Sequence, residues 1–132
     1  MPSTNPEAAL EEFERLAEAA DVNVDTSTMD EESAEDLVEV RTLLTGAIEQ
    51  GVLSVDEEGR AVLRTEAHGE LRFRVPVGED LMIMASARDD QRMSAMNRFV
   101  SSITGKDTRT IGKLTKREWK LAMRLAGFLS AD

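Results

Sequence analysis

The sequence predicts an α+β fold: a small antiparallel sheet of about three strands with helices packed on one side, preceded by an N-terminal helical arm. Three observations carry this. Apolar residues recur at three- and four-residue spacing at both ends of the chain. Between them lie short runs of period two, separated by glycine-containing turns. A polar stretch near residue 30 separates the first helix from everything that follows.

Pro6 to Ala20 reads as a helix whose stripe is Leu10, Phe13, Leu16, Ala17 and Ala20, with glutamates on the other faces. Asn5 is positioned to cap it, and Pro6 suits the first helical position. Asp21 to Glu32 has hardly an apolar residue and reads as a mobile linker. The division expected is therefore an acidic arm and linker over residues 1–32 and a compact α+β domain over 33–132.

Ser33, with Asp36 three residues on, opens a second helix with the stripe Leu37, Val40, Leu44, Ala47 and Ile48, which Gly51 stops. Val52 to Val55 and Arg60 to Thr65 form a hairpin around Asp56-Glu57-Glu58-Gly59. After a turn at His68-Gly69, Leu71, Phe73 and Val75 alternate with Arg72 and Arg74, and Pro76 ends that strand. Helices follow over Asp80 to about Arg88 and over Asp89 to Thr104, where Gly105 stops the second. Lys106 to Lys113 reads as a polar connector. Thr115-Lys116-Arg117-Glu118 has the spacing of a capping box and opens a last helix to Leu129.

Composition narrows the function classes. Of 132 residues 41% are hydrophobic, but only 4% are aromatic, so Leu, Val, Ile, Met and Ala must build the core. There is no cysteine and one histidine, His68, which leaves thiol chemistry and metal ligation without side chains; no cofactor or metal is expected. No apolar run reaches the ~18 residues of a membrane span. Met1-Pro2-Ser3-Thr4-Asn5 leads into acids with no basic start or signal core, so the cytoplasm is the expected location.

The net charge of −10 is uneven: residues 1–66 hold 18 acidic and 4 basic residues, and 67–132 hold 8 and 12. The acidic half is either a solvated arm or a segment that folds back on the basic half. Paired acids such as Asp89-Asp90 and Glu57-Glu58 suit caps and turns, and Gly105-Lys106-Asp107-Thr108 lacks the upstream glycine of a phosphate loop. No nucleophile–base pair stands out, so a non-enzymatic role is expected. Ser33 to Thr65 has the order of a winged-helix DNA reader, but Asp36, Glu39, Glu49 and the acidic turn have the wrong sign for phosphate.

The segment from Gly51 to Arg60, the strand end Arg74-Val75-Pro76-Val77-Gly78-Glu79-Asp80-Leu81, the helix end Ile103-Thr104-Gly105, and Ile111-Gly112-Lys113-Leu114-Thr115-Lys116-Arg117-Glu118-Trp119 leading to Gly127-Phe128-Leu129 follow a recognisable order. Over residues 51–129 this resembles the small tail-assembly chaperones of tailed phages and prophages. The acidic segment 1–32 lies outside the resemblance. It implies a protein that binds the tape-measure protein, keeps its apolar helices soluble and recruits tail-tube protein. A related structural virion subunit, in the tail tube or head–tail connector, is the alternative within the same setting, and a homo-oligomer is compatible with either.

The partner surface is expected on the last two long helices, with Met93, Met96, Phe99, Met123 and Phe128 as contacts. The stripe of the final helix is wider than a surface helix needs, and methionines adapt to varied partners. Trp119, one turn into its helix, is expected in the core, and Phe128, near the helix end, at the interface.

Overall fold

The computed structural model describes residues 5–131; residues 1–4 of the expected arm, and residue 132, lie outside that range. Six helices and a three-stranded antiparallel sheet make one packed unit, in the α+β class that the sequence predicts. No helix among the described residues is long and apolar enough to cross a membrane.

The sheet is β1 (Leu53–Val55), β2 (Ala61–Arg64) and β3 (Glu70–Phe73), in that order. Its register sets Leu53 opposite Leu63 and Val55 opposite Ala61, and then Ala61 opposite Phe73 and Leu63 opposite Leu71. All six side chains are buried, so period two delivers one continuous apolar face. Three helices lie against it: α1 (Pro6–Ala19) and α2 (Glu31–Glu49) on the β1 side, and α4 (Arg92–Thr104) on the β3 side. The short α3 (Gly78–Ala85) leads into α4, and α5 (Thr108–Gly112) into α6 (Lys116–Leu129).

Local signals act as the sequence suggests at several ends. The Asn5 carboxamide accepts from the Ala8 N–H at 2.8 Å. Thr115 and Glu118 close a reciprocal capping box on α6. Elsewhere they differ. Helix α2 starts two residues earlier than expected, because Asp30, not Ser33, is the cap: its carboxylate accepts from the Ser33 N–H at 2.7 Å. The expected polar connector contains α5, capped by Asp107 through the Thr110 N–H at 2.8 Å, with Ile111 fully buried.

The larger correction concerns residues 5–32. They are not a separable arm. Ala9, Phe13, Leu16 and Ala17 of α1 are buried in the same core as the sheet, and the Phe13 ring meets Phe128 of α6 with centroids 5.1 Å apart. Arg15 donates to the Val55 and Asp56 carbonyls at 2.8 and 2.9 Å, which ties α1 to the β1–β2 turn. The expected mobile linker carries a 3-10 turn over Thr26–Thr28. Val22 joins the core, and Val24 and Met29 pack against it. The few apolar residues of this segment suffice because they fall where α1, α2 and α6 meet.

Two buried carboxylates join elements by charged hydrogen bonds. Glu118 accepts from the Thr115 N–H at 3.0 Å and, with its other oxygen, from the Glu66 N–H at 2.8 Å, pinning the β2–β3 turn to α6. Asp80 on α3 accepts from both terminal nitrogens of Arg74 at 2.6 and 2.8 Å, from the Val77 N–H at 2.8 Å and from the Ser102 hydroxyl. The bonds from Arg74 come first among the causes that hold its carboxyl well below the usual range, against the opposing effect of burial.

A lowered native pKa stabilises the fold above the unfolded-state value and loses that contribution as the pH falls below it. Asp80 should therefore support the fold fully above about pH 4 and progressively less in more acidic solution. Asp80→Asn is expected to lower stability at neutral pH and to flatten the acid limb of a stability–pH curve measured by urea unfolding. An unchanged acid limb would place the acid sensitivity elsewhere.

Gly59 tests the seating of α1 independently. It has φ +84°, and a Cβ there would lie 2.5 Å from the Ala19 Cβ, whereas Gly105 at φ +73° faces open space. Gly59→Ala is expected to cost more than Gly105→Ala, which carries only the left-handed penalty of ~1–2 kcal/mol. Equal losses in denaturant melts would mean that α1 does not rest on the turn.

Candidate functional site

Helix α6 has a buried side and an open side. Leu121, Ala122, Leu125, Phe128 and Leu129 face the core. Its other side borders a groove shared with α2 and α4. From α6 come Trp119, Lys120, Met123 and Arg124; α2 adds Glu39, Thr42 and Leu43, and α4 adds Met96, around a cavity of about 850 Å³. Two further depressions adjoin it along α6: one beside Lys120, reaching Gly46, Gln50 and Arg117, and one beside Met123 and Arg124, reaching Met29, Leu37 and Val40. Together the three border α6 from Arg117 to Phe128, roughly 16 Å at 1.5 Å per residue.

The lining combines apolar surface with basic side chains from α6 and acidic ones from α2. Leu43 is 43% exposed, which leaves part of a large aliphatic side chain in the groove. Trp119 is half-buried, and its indole N–H donates to the Asn97 side-chain oxygen at 3.1 Å, which holds the ring between α6 and α4. Lys120 and Arg124, both exposed, also line the groove. Two side-chain bridges cross between α2 and α6: Arg124 to Glu39 at 3.3 Å, and Arg117 to the Gln50 carboxamide. Exposed pairs of this kind are worth ~0–1 kcal/mol and yield readily to a competing partner.

The expected contact residues separate into two groups. Met96 and Met123 do line the groove. Met93, one turn before Met96 and Asn97 on α4, is 66% exposed. Phe99 and Phe128 are core residues at 1% and 5% exposure, so their assignment to a partner surface is corrected. Phe128 is near the helix end, but α1 and its Phe13 cover it. Trp119, expected in the core, is half-buried and packs against it, and it also lines the groove.

Leu43, Lys120 and Arg124 were missing from the expected set. A signal for Leu43 did exist, since it is a large aliphatic residue beside the α2 stripe and not in it. A second apolar area, Val75, Val77, Leu81 and Met82 at the start of α3, is also exposed and was not expected. His68 sits on the β2–β3 turn, and no group of three or more His, Cys, Asp or Glu that could hold a metal occurs among the described residues. The buried carboxylates of Asp80 and Glu118 have their oxygens occupied by donors of the fold itself.

Phe128→Ala is expected to cost ~3–5 kcal/mol in denaturant unfolding, because it opens a cavity against Phe13. Met93→Ala should stay within ~0.5 kcal/mol of the parent. The opposite ranking would return Phe128 to the surface.

Comparison with known proteins finds no matching family model, no similar curated protein and no similar solved structure.

Proposed function

We propose that this chain is a non-catalytic protein-binding factor of phage tail assembly that shelters an apolar helix of a tape-measure-type partner in the groove along α6. The observation that carries the reading is the groove itself. With the depressions that adjoin it, it is long enough for about three helical turns; it is lined by Leu43, Met96, Trp119 and Met123, and weak exposed bridges cross it. Helix-in-groove recognition needs this combination of an apolar strip and polar flanks. Methionines at two of the four positions let the surface adapt to successive segments of a long partner. The resemblance over residues 51–129 supports the tail-assembly setting, with tail-tube protein as a second partner and the host cytoplasm as the place of action.

The β1–β2 turn, which a winged-helix reader would use as its wing, is held against α1 by Arg15, and Gly59 abuts Ala19. This favours protein over DNA as the ligand.

Co-expression with an aggregation-prone helical segment of a tape-measure protein tests the proposal. The parent chain is expected to raise the soluble fraction and to co-purify with the segment. Leu43→Glu should weaken the complex by ~1–2 kcal/mol or more and shift unfolding by no more than ~0.5 kcal/mol. Undiminished capture by this variant would remove the groove from the mechanism. Tight, salt-sensitive binding to random duplex DNA would replace the proposal with a DNA-binding one. Recovery of the chain from mature particles would point to a structural subunit.

A further inference from the structure

We infer that the helix this groove accepts is acidic on one flank: an amphipathic helix whose apolar stripe meets Leu43, Met96 and Met123 and whose carboxylates lie over α6. The inference rests on the protein-binding reading above and adds the chemistry of the partner.

Charge on α6 is the first argument. Its exposed charged side chains are Lys116, Arg117, Lys120 and Arg124, all basic. Its single acid, Glu118, is buried and consumed in the capping box and the bond to Glu66. The imbalance extends beyond the helix: residues 91–131 hold nine basic and two acidic side chains, and both acids, Asp107 and Glu118, are committed to helix starts. Lys116 and Lys120 form no ion pair among the described residues. Unpaired cations of one sign beside an apolar strip are complementary to carboxylates and repel a basic or neutral-cationic helix.

The second argument is the chain's own α1. This helix carries five glutamates and one arginine around the stripe of Ala9, Phe13, Leu16 and Ala17. It packs against α2 and meets α6 through Phe128. The α2–α6 pair therefore already holds one acidic amphipathic helix on its inner side by its apolar stripe, and on the outer side the groove offers an apolar strip with Lys120 and Arg124 beside it. Orientation follows from the α2 wall. Asp36 and Glu39 line that side and disfavour carboxylates there, which confines the partner's acidic flank to the side over Lys120, with Lys116 one turn before it on α6.

Two synthetic peptides of roughly 16 residues, about 24 Å as helices, provide the test. They share one Leu/Met stripe and differ only in a Glu-rich or Lys-rich flank. Fluorescence anisotropy with the full chain should show the Glu-flanked peptide binding about tenfold more tightly at low salt, with the difference shrinking near 0.5 M as screening shortens to a few ångströms. The double variant Lys116→Glu/Lys120→Glu should abolish or invert the preference while its melting curve stays like the parent's. Equal affinity for both peptides would overturn the acidic-flank inference and leave the groove as a protein site. Failure of both to bind would overturn the groove reading as well. A random DNA duplex that displaces the Glu-flanked peptide at the same salt would overturn the inference in favour of nucleic acid.

Discussion

The contact between Phe13 and Phe128, with rings 5.1 Å apart, organises the rest of this fold. A chain with four phenylalanines and one tryptophan has few large apolar anchors. Bringing two of them together with tilted rings joins the first helix to the last. Arg15, two residues after Phe13, then uses its guanidinium to satisfy the Val55 and Asp56 carbonyls. Helix α1 is thereby held by an apolar contact on one side and charged hydrogen bonds on the other. Its seat requires Gly59, since any side chain there would meet Ala19.

Once α1 occupies the inner side of α2 and α6, the outer side of the same pair is what remains open. The stripe of α6 is wider than one packing partner can cover. Most of it, Met123 included, is buried in the core, where Phe128 meets Phe13 of α1; half-buried Trp119 lies towards α4, bonded to Asn97, and Trp119 and Met123 also line the groove. The groove is thus a consequence of helix order: one wide stripe with a neighbour on each flank and none on top. Its positive character arises because the exposed positions of α6 contain lysine and arginine, while the one glutamate is turned inwards.

Glu118 and Asp80 show how buried carboxylates can be structural. Each links segments distant in sequence: α6 to the β2–β3 turn in one case, and β3 to α3 and α4 in the other. Breaking either would leave donors without partners at a junction of elements, a larger loss than that of an ordinary surface ion pair. Their lone pairs are committed to backbone and side-chain donors, which explains their burial without invoking reaction chemistry.

The sequence by itself determined the fold class, the three strands with their turns, the bounds of α1 and α6, and the ends of α2 and α4. These depend on interactions within a few residues: period two around Gly59 and Gly69, the Asn5 cap, and the Thr115–Glu118 box. Where two nearby residues could cap, as with Asp30 and Ser33, or where a helix is one turn long, as with α5, local signals were ambiguous and the tertiary environment settled the result. Met96 and Met123 were legible as groove residues because their spacing placed them on the right helices. Which side of α6 would be buried was not legible: Phe128 and Trp119 lie on one broad apolar stripe, and only the position of α1 distinguishes them. That position depends on Phe13 meeting a ring 115 residues away and Arg15 reaching carbonyls about 40 residues away. Such long-range pairings leave no trace in spacing or composition, so the tertiary structure alone decided that the acidic segment belongs to the core and that the open groove lies along α6.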